Sequence, residues 1–287
     1  MRGRSIAIAA ASTVLVSCAL ISGAGDLTVA PDVLLPEAGA PVTESSTAPD
    51  AAQPDGPVTA TPDAGGDAAP VTCDEPGLVA RWTFDEGSGL TVRDCTSFHH
   101  DGQVDGGNWV DGERDGGMAF DGGWVGFGNP PGLQLVGPLT VCAWVRPASF
   151  PPVDTARQYV VNKLLNLNSG GWRLGLGRSG PGVNTLSASL KVPDPNVAYP
   201  ETKGGAMTLN AWSHMCAVID GRSQSVFVGG VLAASSQAAS SKITLTNDEL
   251  RIGIRGDGVE HYEGAVDDVR IYSRALAAAE IAVLAQP

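Results

Sequence analysis

The sequence predicts an all-β fold: an antiparallel β-sandwich with one short C-terminal helix, preceded by a segment that does not fold. Three observations predict it. From Leu78 onward, short apolar runs are broken by Gly, Asp, Asn and Pro, the pattern of many short strands. Only residues 275–285 show helical spacing, with Leu276, Ile281 and Leu284 toward one side. Residues 26–72 carry no aromatic residue, no Lys and no Arg, and have no period of 2 or 3.6.

The strands follow in order. Residues 78–84 (LVARWTF) alternate imperfectly and stop at 85–89 (DEGSG), a turn by composition. Met118-Ala119-Phe120 runs into Asp121-Gly122-Gly123, and Trp124 restarts a strand. A strand over 139–145 ends at Pro147, which cannot continue a ladder. Trp172, Leu174 and Leu176 fall on one face at period 2. Residues 225–233 read as a hairpin closed by Gly229-Gly230. Two further strands are expected at 249–254 and 265–272. Gly116-Gly117 and Gly122-Gly123 precede strands rather than helices, so they do not fit phosphate cradles.

The segment before Cys73 divides in two. Arg2 and Arg4 precede a short apolar run over 6–15, the n-region and h-region of an export signal. The run ends in Leu15-Val16-Ser17-Cys18, which resembles a bacterial lipobox. That resemblance implies acylation of Cys18 and a lipoprotein held at a membrane by its acyl chains. Ala19 rather than Asp follows the cysteine, which by analogy favours the outer membrane or cell surface. The alternative is cleavage after Ala24 and a free secreted protein. Residues 19–72 cannot bury enough apolar surface to offset their ordering entropy, and are expected to be a disordered, Pro/Ala/Asp-rich tether. Fully extended, such a tether reaches roughly 170 Å, and as a loose coil about 40 Å. The folded domain is expected over 73–287.

The 287-residue chain has a net charge of −13. Eight of its 31 acidic residues precede Cys73, as do two of its 18 basic ones, which leaves 23 against 16, or −7, for the domain. Nucleic acid is not an expected partner, since it selects a basic face. Five cysteines are present, and removing Cys18 leaves four in an exported domain, where disulfides persist. Three connectivities are open. A metal site is disfavoured because no CxxC and no Cys/His cluster occurs.

Five motifs carry a resemblance: LVARWTFDEGSG (78–89), MAFDGGWVGFG (118–128), GPLTVCAWVRP (137–147), LNAWSHMCAVIDG (209–221) and YEGAVDDVRIYSRAL (262–276). In this order they resemble the LamG-like jelly-roll domain of the concanavalin A-like lectin/glucanase superfamily, over nearly all of 78–284. The resemblance implies a jelly roll and a secreted binding module. Pentraxins of the same superfamily pair a strand cysteine like Cys142 with one like Cys216 in His214-Met215-Cys216. This implies Cys142–Cys216, and with it Cys73–Cys95. Two departures are small: Gly229-Gly230 stands where Asp-Gly is usual, and Ala277 where a helix-capping Ser is usual.

No catalytic set is expected. Glycoside hydrolysis needs two carboxylates across the scissile bond. The nearest match to the E-x-D-x-x-E of laminarinase-type relatives is Glu113-Arg114-Asp115-Gly116-Gly117-Met118, which lacks the last acid and reads as a turn. Neither GxSxG nor HExxH occurs. His100-Asp101-Gly102 matches a structural turn of LamG-like relatives. Many lectin-like jelly rolls hold calcium, so Asp85 and Asp267 are first candidates for a calcium site, ahead of Asp121 and Asp268. The competing expectation is turn capping, with Asp267-Asp268 and Arg270 as a surface pair. Trp82, Trp124, Trp144, Trp172 and Trp212 are expected mostly in the core. Trp109 and Tyr199, in loop-like segments, are the candidates for stacking on a sugar. Residues 191–205 are expected to be a long recognition loop. The expected function is a monomeric, non-catalytic, lectin-like module for carbohydrate or glycoprotein, anchored at the cell surface. The alternative is a structural domain that binds another surface protein, and a glycoside hydrolase comes third.

Overall fold

A computed structural model describes residues 73–153, 156–165, 170–178, 186–192, 201–237 and 242–287. The expected export signal and tether, with Cys18, lie outside the described residues, as does Tyr199. Two eight-stranded sheets form the fold. The first runs β14 (Val231–Gln237), β13 (Ser223–Val228), β12 (Ser213–Ile219), β7 (Leu139–Pro147), β16 (Glu263–Tyr272), β5 (Gly116–Asp121) and β4 (Asn108–Asp111), and β1 (Leu78–Trp82) also pairs with β16. The second runs β11 (Glu201–Met207), β10 (Leu186–Lys191), β9 (Trp172–Arg178), β8 (Gln158–Lys163), β15 (Arg251–Ile252), β6 (Trp124–Gly126), β3 (Gly102–Asp105) and β2 (Thr91–Val92). Every pairing is antiparallel.

Alternation explains which faces meet. Trp172, Leu174 and Leu176 of β9 join Val141, Ala143 and Val145 of β7 and Val266 of β16 in one core. The intervening Arg173, Gly175 and Gly177 point the other way. The expected hairpin forms between β13 and β14, with Val228 opposite Val231. Gly229 (φ 58°) and Gly230 (φ 79°) take the two positive-φ turn positions that L side chains resist. Gly122-Gly123 joins strands of different sheets, β5 and β6.

Strand β16 changes partner midway. Glu263–Val266 pairs with β5, whereas Val269–Tyr272 pairs with β1. Between them the register to β7 slips after Asp267, and Asp268 takes φ 43°. This bulge lets Val266 and Val269 both face the core and leaves two consecutive acidic side chains on the other face, where both are buried. The surface pair expected for Asp267-Asp268 and Arg270 is therefore corrected to a buried network.

Cys142 and Cys216 sit opposite each other on β7 and β12 and form one disulfide, with Cα atoms 4.1 Å apart. Cys73 and Cys95 form the other, at 5.5 Å. The helix α1 (Ala278–Leu284) is shorter than the 275–285 of sequence spacing. Ala277 has no side-chain acceptor to hold its first turn. Glu280 reaches back instead, accepting the Ala277 N–H at 2.8 Å. Leu276 and Ile281 are buried against Cys142, Cys216 and Tyr272. Among the described residues no helix is long and apolar enough to cross a membrane.

Two loop expectations are corrected. Trp109 lies in β4, half-buried against the core, and its indole N–H donates to the Gly89 carbonyl at 3.1 Å. The segment 191–205 is not one long loop, because 201–205 belongs to β11. The expected strand over 249–254 contracts to β15.

Candidate functional site

Asp85 and Asp267 converge on one loop. Asp267 Oδ2 accepts the Glu113 and Arg114 N–H groups at 2.9 and 2.7 Å, and Asp85 Oδ1 accepts the Gly116 N–H at 2.7 Å. The segment once compared with E-x-D-x-x-E is thus a turn tied down by two carboxylates. Calcium takes six to eight oxygen ligands. Here two of the carboxylate oxygens are already spent on backbone N–H groups. The one His/Cys/Asp/Glu cluster with metal-ligand spacing among the described residues is Cys142, His214 and Cys216. Its sulfurs are bonded to each other, so it offers no thiolate. Asp85 and Asp267 each anchor the 113–116 turn through one carboxylate oxygen. Asp267 Oδ1 stays buried without a partner, and burial raises this carboxyl to about 7.

The neighbouring Asp268 has the opposite surroundings. It receives Arg81 Nε at 2.7 Å, Arg114 Nη1 at 2.7 Å, and both Nε and Nη2 of Arg270 at 3.0 and 2.8 Å. Burial would raise its pKa, but Arg270 and Arg81 outweigh that and hold it below the usual range. The group is structural: Arg114 also donates to the Leu284 carbonyl at 3.0 Å and so ties the C-terminal helix to the sandwich. His214 lies beside the Trp144 ring and the Cys142–Cys216 sulfurs, and burial lowers it to about 4, so it stays neutral. The turn at His100 is held by Asp94, whose Oδ2 accepts the His100 N–H at 2.9 Å.

The main constellation lies on the outward face of β8–β11, and sequence reading did not find it. Register brings Asn162, Arg173, Lys191 and Glu201 into one row across four strands. The next row holds Tyr159, Gly175, Ser189 and Lys203. Arg173 donates to Ser189 Oγ at 2.8 Å and to Glu201 Oε1 at 2.5 Å, with its guanidinium 4.9 Å from the Tyr159 ring centre. Arg157 grips the same carboxylate with two bonds, at 2.7 and 2.6 Å. Arg255 approaches Tyr159 from another side, 5.7 Å from the ring centre, while pairing with Asp257 at 2.7 Å and with Glu260.

The glycines of β9 make this possible. A Cβ on Gly175 would stand 2.4 Å from the Gln158 carbonyl oxygen and 3.1 Å from Arg173 Nη1. One on Gly177 would stand 3.1 Å from Arg157 Cδ. Bare backbone is the bed on which both arginine side chains lie. The signal in WRLGLGR is therefore double: its apolar period marks the core, and its Arg-Gly-Gly complement marks the opposite face.

Arg173 is 1 % exposed, whereas the Glu201 side chain keeps 21 %. Burial alone would raise Glu201, but the Arg157 hydrogen bonds and the Arg173 charge bring it to about 2. Burial lowers Lys191 and raises Tyr159. Chemically the accessible part of the face offers the Arg157 guanidinium and a fixed Glu201 carboxylate, while Arg173, Ser189 and Tyr159 lie buried behind them. Further along the sheet, Arg251 stacks on the half-buried Trp124 with 4.3 Å to the ring centre. Trp82, Trp144 and Trp172 are core residues, as expected. Trp212 is half-buried under Arg146, at 5.0 Å.

Two packed antiparallel sheets with a bulged C-terminal strand define the class. The chain belongs to the concanavalin A-like lectin/glucanases superfamily, whose laminin-G-type family matches residues 116–282. Its fold is similar to domain 4 of an extracellular arabinanase from Geobacillus stearothermophilus, solved with arabinotriose. That match has a TM-score of 0.59 and 20 % identity, over 74 % of this chain and all of that one. It is also similar to the binding domain of Paraclostridial Mosquitocidal Protein 1, with a TM-score of 0.58 and 14 % identity over 73 % of this chain. The botulinum neurotoxin serotype G binding domain gives 0.54 and 13 % over 72 %. The match spans about half the length of each toxin domain, 52 % and 50 %. No curated protein sequence matches the chain.

Proposed function

We propose that this protein is a non-catalytic carbohydrate-binding module, displayed on the cell surface by a lipid on Cys18. The observation that carries the reading is the Arg157–Glu201 pair at the accessible rim of β8–β11, held in place by the buried Arg173, Ser189 and Tyr159. Sugar hydroxyls need paired donors and acceptors, and such groups on rigid strands supply both in fixed directions. A similar fold in the arabinanase domain holds arabinotriose, which agrees with this use of the scaffold. Glu201 is not suited to be the general acid of a hydrolase. A general acid must hold a proton near neutral pH, and a carboxyl at about 2 does not.

The test is binding of the purified full-length protein to a broad array of neutral and acidic glycans, with calcium and again with chelator. Selective binding that survives chelation and weakens in Glu201→Gln is expected. An array with no selective binding to any glycan overturns the reading. That result would favour a protein-interaction domain, for which one observation speaks: β14 is a sheet edge and exposes Val231 and Leu232.

A further inference from the structure

We infer a second saccharide site on the outward face of the other sheet, an open cleft beside Arg146 that takes one neutral sugar unit. It goes beyond the β8–β11 reading, because the two sites share no strand and no residue.

Strand alternation builds the cleft. Met118, Val145 and Val266 belong to the core, so their neighbours Ala119, Arg146 and Ala265 face away from it. Register sets these three in one row across β5, β16 and β7, with Ala265 opposite Ala119 on one side and Arg146 on the other. Two alanines leave a hollow where longer side chains would cover the sheet. The hollow is a cleft of about 320 Å³, bordered also by Ala148, Asn210 and Gly264. Ala148 and Asn210 are exposed, so a ligand reaches it from solvent. Its volume falls at the small end of ligand sites, enough for a single sugar unit.

Arg146 is oriented without being consumed. Its guanidinium lies 5.0 Å from the centre of the Trp212 ring, and this stack occupies one face of the group. The N–H donors lie in the guanidinium plane and stay clear of the stack. Among the described residues no side-chain or backbone acceptor takes them, and no carboxylate pairs with Arg146. The Asn210 amide is likewise unused there. Its backbone is fixed at φ 59°, and its N–H donates to the Pro147 carbonyl at 2.7 Å. The cleft thus presents a preset fork of donors and an amide that both donates and accepts.

Charge selects the ligand. Asp121 and Glu263 stand opposite one another two residues further along β5 and β16, on the same face, and both are exposed. Carboxylates only accept and a guanidinium only donates, whereas each sugar hydroxyl does both. Hydroxyls therefore satisfy donors at Arg146 and acceptors at the mouth together. An acidic sugar would bring its own carboxylate toward two like charges and one cation, which disfavours it.

The experiment is calorimetric titration of the full-length protein with glucose, galactose and arabinose, and with glucuronate and galacturonate as acidic counterparts. Binding of at least one neutral sugar, tighter than that of its uronate, is expected. Arg146→Gln removes the donor fork and Ala119→Leu fills the floor, and each should weaken that sugar about tenfold or more. Glu201→Gln should leave it unchanged. Thermal melts check folding. If either variant does not fold, Asn210→Gly carries the test, since it keeps the positive φ and removes only the amide. No binding of any neutral sugar overturns the inference, as does unchanged affinity in the folded variants. A uronate bound as tightly as its neutral sugar overturns the choice of ligand. Binding lost in Glu201→Gln but kept in Arg146→Gln overturns this site and leaves the β8–β11 reading standing. The reverse pattern supports this site and counts against β8–β11.

Discussion

Asp267 and Asp268 are adjacent in sequence yet meet opposite electrostatics. Asp268 faces Arg81, Arg114 and Arg270 and stays ionised. Asp267 faces backbone N–H groups on one oxygen and nothing on the other, and burial lifts it to about 7. The folded protein therefore holds the Asp267 proton more tightly than the unfolded chain. The stability this supplies is complete below the unfolded value of 3.8 and is lost as pH rises through 7. Asp267→Asn keeps an acceptor for Glu113 and Arg114 and removes the charge. It should gain on the parent as pH goes from 4 to 8, by up to about 4 kcal/mol. Urea midpoints at pH 4, 6 and 8 measure this, and parallel curves for the two proteins would refute it. The sequence could not separate the two acids. In regular alternation the two would face opposite sides of the sheet, and only the bulge in β16 puts both on the face away from the Val266 and Val269 core.

At the scale of elements, β9 and α1 differ in how much their own residues specify. Strand β9 is legible on its inward side, because Trp172, Leu174 and Leu176 must be buried together. Its outward side is not, since Gly175 and Gly177 acquire meaning only when Arg157 and Arg173 lie across them. Helix α1 has a weak start and is held by its neighbours. Leu276 and Ile281 pack on the Cys142–Cys216 disulfide, and Arg114 binds the Leu284 carbonyl. Ala277→Ser supplies the missing cap and should add about 0.5–1 kcal/mol, read as a raised thermal midpoint. No change would mean that the Glu280 bond to the Ala277 N–H already satisfies this end. The cysteine pairs act on the unfolded chain instead. Closing the 22- and 74-residue separations should contribute roughly 3.5 and 4.5 kcal/mol.

For the whole molecule, the proposed display system has three parts: an acyl anchor at Cys18, a tether over 19–72 and the sandwich. If the anchor is the cysteine, Cys18→Ala should move the protein from the membrane fraction to the soluble or secreted fraction while its glycan binding is unchanged. Retention of the variant in membranes would refute lipid anchoring through this residue. The sequence by itself determined the all-β class, the span of the folded domain's motifs, the hairpin at Gly229-Gly230 and the inward faces of the strands. Each of these follows from local period and turn chemistry, which neighbouring residues state directly. With the family resemblance it also gave both cysteine pairs. Only the tertiary structure decided that Trp109 belongs to a strand, that Asp85 and Asp267 serve a turn, and that four strands align Asn162, Arg173, Lys191 and Glu201. Cross-strand register joins residues that lie far apart in the chain, and a polar residue's single-strand pattern does not reveal which partners it will meet.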